Sequence, residues 1–187
     1  MKLYALVLSL VALVPFAPLR GAEGTKILTN SIGIKLVRIE PGTFTMGRCP
    51  GEQDSMALED PQHVVTISSG FWMRKYALTK AQWTAVMGSN PVASGTVFWK
   101  GEEQGTCASF GVGAALPVTC IDWQQANEFA RHVSARDGVV YKLPTEAQWE
   151  YAARGGLVDK PYPSGDRLDA EQARYASSAP VSVGRFP

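Results

Sequence analysis

The chain has 187 residues, of which 45% are hydrophobic and 10% aromatic, with 18 lysines and arginines against 17 aspartates and glutamates. So even a balance, with no basic stripe interleaved with aromatics, argues against nucleic acid as a partner. The length suffices for one modest core and is too short for two independent domains.

At the N-terminus, Lys2 precedes the apolar block "LYALVLSLVALVPFAP" and then "LRGAEG", the layout of a cleaved export signal rather than a membrane span. The division expected is a signal peptide over 1–21 and a single domain over 22–187, with periplasmic or secreted localisation and no stable membrane span after cleavage. The mature chain then has 166 residues and, without Lys2 and Arg20, a formal charge of −1. No cysteine follows the apolar block closely, so the lipoprotein route has no anchoring thiol.

Next, "IGIKLVRIEPGTFTMG" places Ile32, Ile34 and Leu36 at alternate positions, then Val37 and Ile39 in the opposite phase. A bulge at Leu36-Val37 would explain the switch, and Pro41-Gly42 would turn the chain into a hairpin carrying Phe44 and Met46. The polar loop "RCPGEQDSMALEDPQ" leads to "HVVTISSGFWMRKY", read as another strand or hairpin arm.

Three helices carry both start and stop signals. Thr79 and Gln82 form a capping pair before Trp83, Val86 and Met87, with Gly88 at the exit. Asp122 and Gln125 repeat the device ahead of Ala126, Phe129, Ala130 and Val133. Thr145 and Gln148 do so again in "YKLPTEAQWEYAARGG", with Trp149, Ala152 and Ala153 expected inside and Gly155-Gly156 at the end. Residues 89–116 lack a clean period and read as an irregular excursion, and Val181 and Val183 alternate as if entering a sheet.

Cys49, Cys107 and Cys120 are the cysteines. Export permits a disulfide, and Cys107 with Cys120 would close a short loop, but sequence leaves the pairing open. Cys49 has no CxxC or CxxH spacing that would mark a metal site. Glu146 and Glu150, four apart, could aim two carboxylates at a ligand; the plainer reading pairs Glu150 with Arg154 and sets Glu146 at the helix start. His63 and His132 stand alone and read as surface or packing residues. Glu59 and Asp60 could take calcium with backbone carbonyls, although no EF-hand spacing supports them. Trp83, Trp123 and Trp149 are expected in the core, whereas Trp99 is the candidate for partner contact.

The stretches "FTMG", "EDPQHVV", "FWMRKYALTKAQW", "PVTCIDWQQANEFA", "YKLPTEAQWEYAARGG" and "YPSGD" occur in an order that resembles the formylglycine-generating enzyme, or sulfatase-modifying factor, family. The resemblance implies a mixed α/β (α+β) fold with much irregular structure, related to the C-type lectin fold. Its members include copper-dependent oxidases that make formylglycine, iron sulfoxide synthases, lectin-like proteins and exported accessory proteins, so fold alone does not settle chemistry. Relative to the family pattern, Lys142 stands for an arginine, Ser164 for a tryptophan, and Cys120-Ile121-Asp122 for the usual serine-containing approach to Trp123. The tryptophan-rich signature and paired copper-binding cysteines of the family's second half have no counterpart here. Hence no catalytic or cofactor-binding residue is assigned and the metal question stays open: no cofactor is expected for this chain, calcium is admissible, and copper requires the missing half. The main expectation is an exported accessory or interaction protein with a protein partner. The alternatives are the N-terminal portion of an oxygen-dependent oxidase and a lectin-like ligand-binding module.

Overall fold

A computed structural model describes residues 11–13, 27–50, 59–89, 96–99, 102–107, 111–175 and 179–186. The central sheet is antiparallel throughout and has the order β2-β3-β6-β1-β9. Its strands are β1 (Val11–Leu13), β2 (Ile27–Thr29), β3 (Lys35–Ile39), β6 (Phe71–Arg74) and β9 (Val140–Lys142). Two hairpin-like pairs stand apart from it: β4 (Gly42–Met46) with β5 (His63–Ile67), and β7 (Thr96–Trp99) with β8 (Glu102–Thr106).

The change of phase along β3 is not a bulge. β3 stays in continuous register with β6, from Leu36 opposite Arg74 to Ile39 opposite Phe71, because the sheet is covered on both faces and each phase feeds a different core. Ile34 and Leu36 join Leu78, Trp83, Phe129 and Val133 on the side of α1 (Lys80–Met87) and α2 (Trp123–Asp137). Phe71 and Met73 join Ile67 and the half-buried Ile39, Phe44 and Tyr151 on the side of β4, β5 and α3 (Glu146–Arg154). The expected hairpin through Pro41-Gly42 is also corrected: that turn passes the chain from the central sheet to the separate β4–β5 pair. The residues 89–116 hold β7 and β8, paired with a register irregularity at Val97/Phe98, rather than being irregular throughout.

The helices follow their caps. In each, the cap side chain accepts from the third helical amide and the glutamine at that position returns a bond to the cap amide: Thr79 with Gln82, Asp122 with Gln125, Thr145 with Gln148. α3 stops where Gly155 takes φ of 56°, a left-handed conformation that glycine adopts without steric cost. α2 buries Ala126, Phe129, Ala130 and Val133, and Trp83 of α1 stacks on Phe129 at 5.4 Å between ring centroids.

Two tryptophans expected inside are not. Trp123 is 65% exposed, because it is the first residue of α2 and its side chain, tilted toward the N-terminus, projects past the packed stripe. Trp149 is 40% exposed: α3 packs through Ala147, Tyr151 and Ala152, and a residue two positions from Ala147 lies about 200° around the helix. Val181 and Val183 do not enter a sheet; the Val183 amide donates instead to the Ala115 carbonyl at 3.1 Å.

Strand β1 falls inside the stretch expected to be a leader. It sits between β6 and β9, with Val11 opposite both Met73 and Lys142.

Candidate functional site

Two polar centres lie on opposite sides of the central sheet. At the first, the end of β4 meets the last turn of α3. The Gly47 amide donates to Glu150 Oε1 at 2.9 Å, and Arg154 reaches the same oxygen through Nε at 2.9 Å and Nη2 at 2.6 Å. Arg154 Nη2 also donates to the Gly47 carbonyl at 2.6 Å, and its Nη1 reaches Cys49 Sγ at 3.4 Å. The buried Cys49 thiol donates in turn to the Lys160 carbonyl at 3.2 Å. Gly47 is required here: its φ is +114°, and a Cβ would come within 2.6 Å of the Glu59 carbonyl oxygen. Burial alone would lower the Arg154 pKa, but the hydrogen bonds to Cys49 and Glu150, with the charge of Glu150, raise it overall. The guanidinium is thus fixed in its charged form and its donors are spent on the fold.

This arrangement decides the paired-carboxylate question. Glu150 is consumed by Gly47 and Arg154, while Glu146 is exposed in the first turn of α3, where its charge suits the helix N-terminus. The two do not converge on a ligand.

At the second centre, Arg74 closes β6. Its side chain shares a sheet face with Trp72 and Leu36, toward α1 and α2. The residue is 8% exposed, and its Nε, Nη1 and Nη2 have no hydrogen-bond partner among the described residues. Burial lowers its pKa to about 9, which still leaves the guanidinium charged at neutral pH. It borders a cavity of about 170 Å³ whose wall includes Gly33, Ile34, Tyr76, Thr79, Gln82 and Val183. Sequence reasoning missed Arg74. The signal was present in the uninterrupted run Phe71-Trp72-Met73, which implies cover on both faces and, at period two, places Arg74 beneath the same layer as Trp72.

The remaining candidates are dispersed. His63 is exposed and its Nδ1 lies 3.0 Å from the Pro61 carbonyl, while His132 Nε2 lies 3.7 Å from Glu128. Asp60 pairs with Arg48, and the Arg48 amide donates to the Glu59 carbonyl at 3.1 Å. Among the described residues, no group of three or more His, Cys, Asp or Glu is placed to hold a metal. The side chain of Trp99 lies outside the described residues. Cys107 and Cys120 form a disulfide spanning 13 positions, which closes the pairing that sequence left open. Joined in this bond, Cys107 and Cys120 do not offer a pair of thiolates to a copper ion.

The sequence profile of the sulfatase-modifying factor enzyme 1-like domain matches residues 29–181, beginning beyond β1. The formylglycine-generating enzyme of Mus musculus is 32% identical over 184 residues, covering 82% of this chain and 48% of that protein. The corresponding enzyme of Streptomyces coelicolor is 30% identical over 185 residues, covering 81% and 56%. The chain therefore spans about half the length of these curated relatives. In fold it is similar to PvdO from Pseudomonas aeruginosa, with a TM-score of 0.72 and 24% identity over 89% of this chain and 69% of that one.

Proposed function

Because the chain belongs to the sulfatase-modifying factor enzyme 1-like family, we propose that it forms the N-terminal framework of an oxygen-dependent oxidase of the formylglycine-generating type. Oxidation of a substrate cysteine, with dioxygen reduced, is then a property of a larger unit that includes this chain. The observation that carries this reading is the alignment with formylglycine-generating enzymes, which takes in about four-fifths of this chain and only half of theirs. The closed Gly47–Glu150–Arg154 corner and the three capped helices suit a framework: their polar groups are committed to holding shape.

Reading the encoding DNA past Pro187 tests this. An open frame continuing into a segment like the second half of the relatives is the expected result. A stop codon there, with no cysteine-to-aldehyde conversion when the chain is mixed with a relative's second half, would leave the accessory, non-oxidising reading in its place.

The apolar block after Lys2 and the Cys107–Cys120 disulfide support an exported, oxidising setting for the domain. Export with cleavage near Ala22 would withdraw β1 and part β6 from β9. The mass of the chain recovered from the exported fraction decides: a product starting near Ala22 is expected, and one retaining Val11–Leu13 contradicts the leader.

A further inference from the structure

We propose that the place β1 holds between β6 and β9 is a strand-accepting gap, filled after leader cleavage by an extended apolar segment from the second half of the larger unit. This rests on the framework reading above and on removal of the leader. β1 is antiparallel to both neighbours, so β6 and β9 run parallel to each other and stand two strand spacings apart, about 9.5 Å. Contacts that do not involve β1 keep them there. β6 is in register with β3 on its other side. β9 is tied to α2: the Tyr141 amide donates to Ser134 Oγ at 2.8 Å and the Tyr141 hydroxyl to Asp137 Oδ2 at 2.8 Å. α2 packs in turn on Ile34 and Leu36 through Phe129 and Val133. Closing β9 onto β6 would break these contacts.

The same bonds show which backbone groups face the gap. The N–H and C=O of one residue point to the same side of a strand, and successive residues alternate. Because Tyr141 turns its pair toward Ser134, Val140 and Lys142 turn theirs toward the gap. The Lys75 amide donates to the Lys35 carbonyl at 2.9 Å, so Met73 also faces β3 and Trp72 faces the gap. Trp72 and Tyr141 lie opposite the same position of the inserted strand and both pack with the α1–α2 core. A residue at that position sits between two aromatic rings on the core face. Left open, the gap would strand backbone donors and acceptors inside a sheet rather than along a solvated edge, and a strand with two hydrogen-bonding edges answers both sides. The family profile match begins at residue 29, so β1 lies outside it, and about half the length of the curated relatives lies outside the aligned part. That half is the source assigned to the occupant.

Amide exchange by NMR on the chain recovered from the exported fraction, starting near Ala22, tests this. The probes are the part of the Streptomyces coelicolor enzyme outside the alignment, and a synthetic peptide of residues 8–14 flanked by lysines. In the chain alone, the Trp72, Val140 and Lys142 amides should exchange fast while the Tyr141 amide, held by Ser134, stays protected. Either probe should slow the gap amides at least about tenfold, and the two should compete. N-methylation of the peptide at position 12, whose amide faces Trp72, should weaken its binding about tenfold. Val140→Pro, which removes a gap-facing N–H, should do the same, so the test does not depend on one variant folding. Binding of the second half with the gap amides still fast overturns this inference and leaves the framework reading standing. Protection by the peptide without binding of the second half overturns the assigned occupant. Gap amides already slow in the chain alone, a Tyr141 amide as fast as its neighbours, or an exported product retaining Val11–Leu13 removes the gap itself. The framework reading fails on different evidence, a stop codon after Pro187 with no aldehyde formed.

Discussion

Arg154 and Arg74 lie on opposite sides of the same sheet, each with little exposure, and differ in what surrounds the charge. Around Arg154, a carboxylate, a backbone carbonyl and a thiol take up the donors. Around Arg74, the described residues offer a cavity and no acceptor. The lesson is that burial of a charge has two meanings. With its partners built in, the arginine joins β4 to α3 and serves the fold; without them, its burial is a cost to the fold.

The largest effect expected is on the cavity side. The segment 111–118 packs against α1 through the Leu116 and Ala114 carbonyls and against the tail through Ala115, and the Cys107–Cys120 bond ties off that segment. Replacing both cysteines by serine should cost about 3 kcal/mol, the value for a loop of this length. In hydrogen exchange the loss of protection should fall on α1 and 111–118 and spare the Arg154 corner; equal loss at both would erase the distinction between the two sides.

Glu150→Ala should make Arg154 resemble Arg74. Removing the carboxylate leaves a mostly buried guanidinium and the Gly47 amide without their shared acceptor, at a cost of about 2–3 kcal/mol in urea unfolding. A cost within about 0.5 kcal/mol would mean the corner is no stronger than a surface pair. Smaller still, Thr145→Ala removes the cap oxygen from the Gln148 amide and should cost about 1 kcal/mol, with Thr145→Ser recovering most of it.

What was legible in the sequence was what neighbours decide. Each capping pair lies within four residues, so Thr79, Asp122 and Thr145 declare their helices without knowledge of the fold. The motif order was equally readable, and the profile match over 29–181 agrees with it. The sheet partition was not. Alternation along "IGIKLVRI" is compatible with one covered face and a bulge or with two covered faces, and only the distant α2 and α3 decide. Trp149 was misplaced for the same reason: α3 has two arcs with apolar residues, and β4–β5 selects the one holding Ala147 and Tyr151. Arg74 was hidden because an arginine at a strand end ordinarily lies at the surface.

Urea unfolding of Arg74→Met beside Arg154→Met, without added ligand, tests the distinction most directly. Arg154→Met should lose about 2–3 kcal/mol, because Glu150 and the Gly47 carbonyl lose their donor. Arg74→Met should gain stability, on the order of 1–2 kcal/mol, because an unanswered buried charge is replaced by an apolar side chain of similar length. Destabilisation of both variants by similar amounts would show that Arg74 is as much a part of the fold as Arg154, and would contradict the claim that its burial is a cost to the fold.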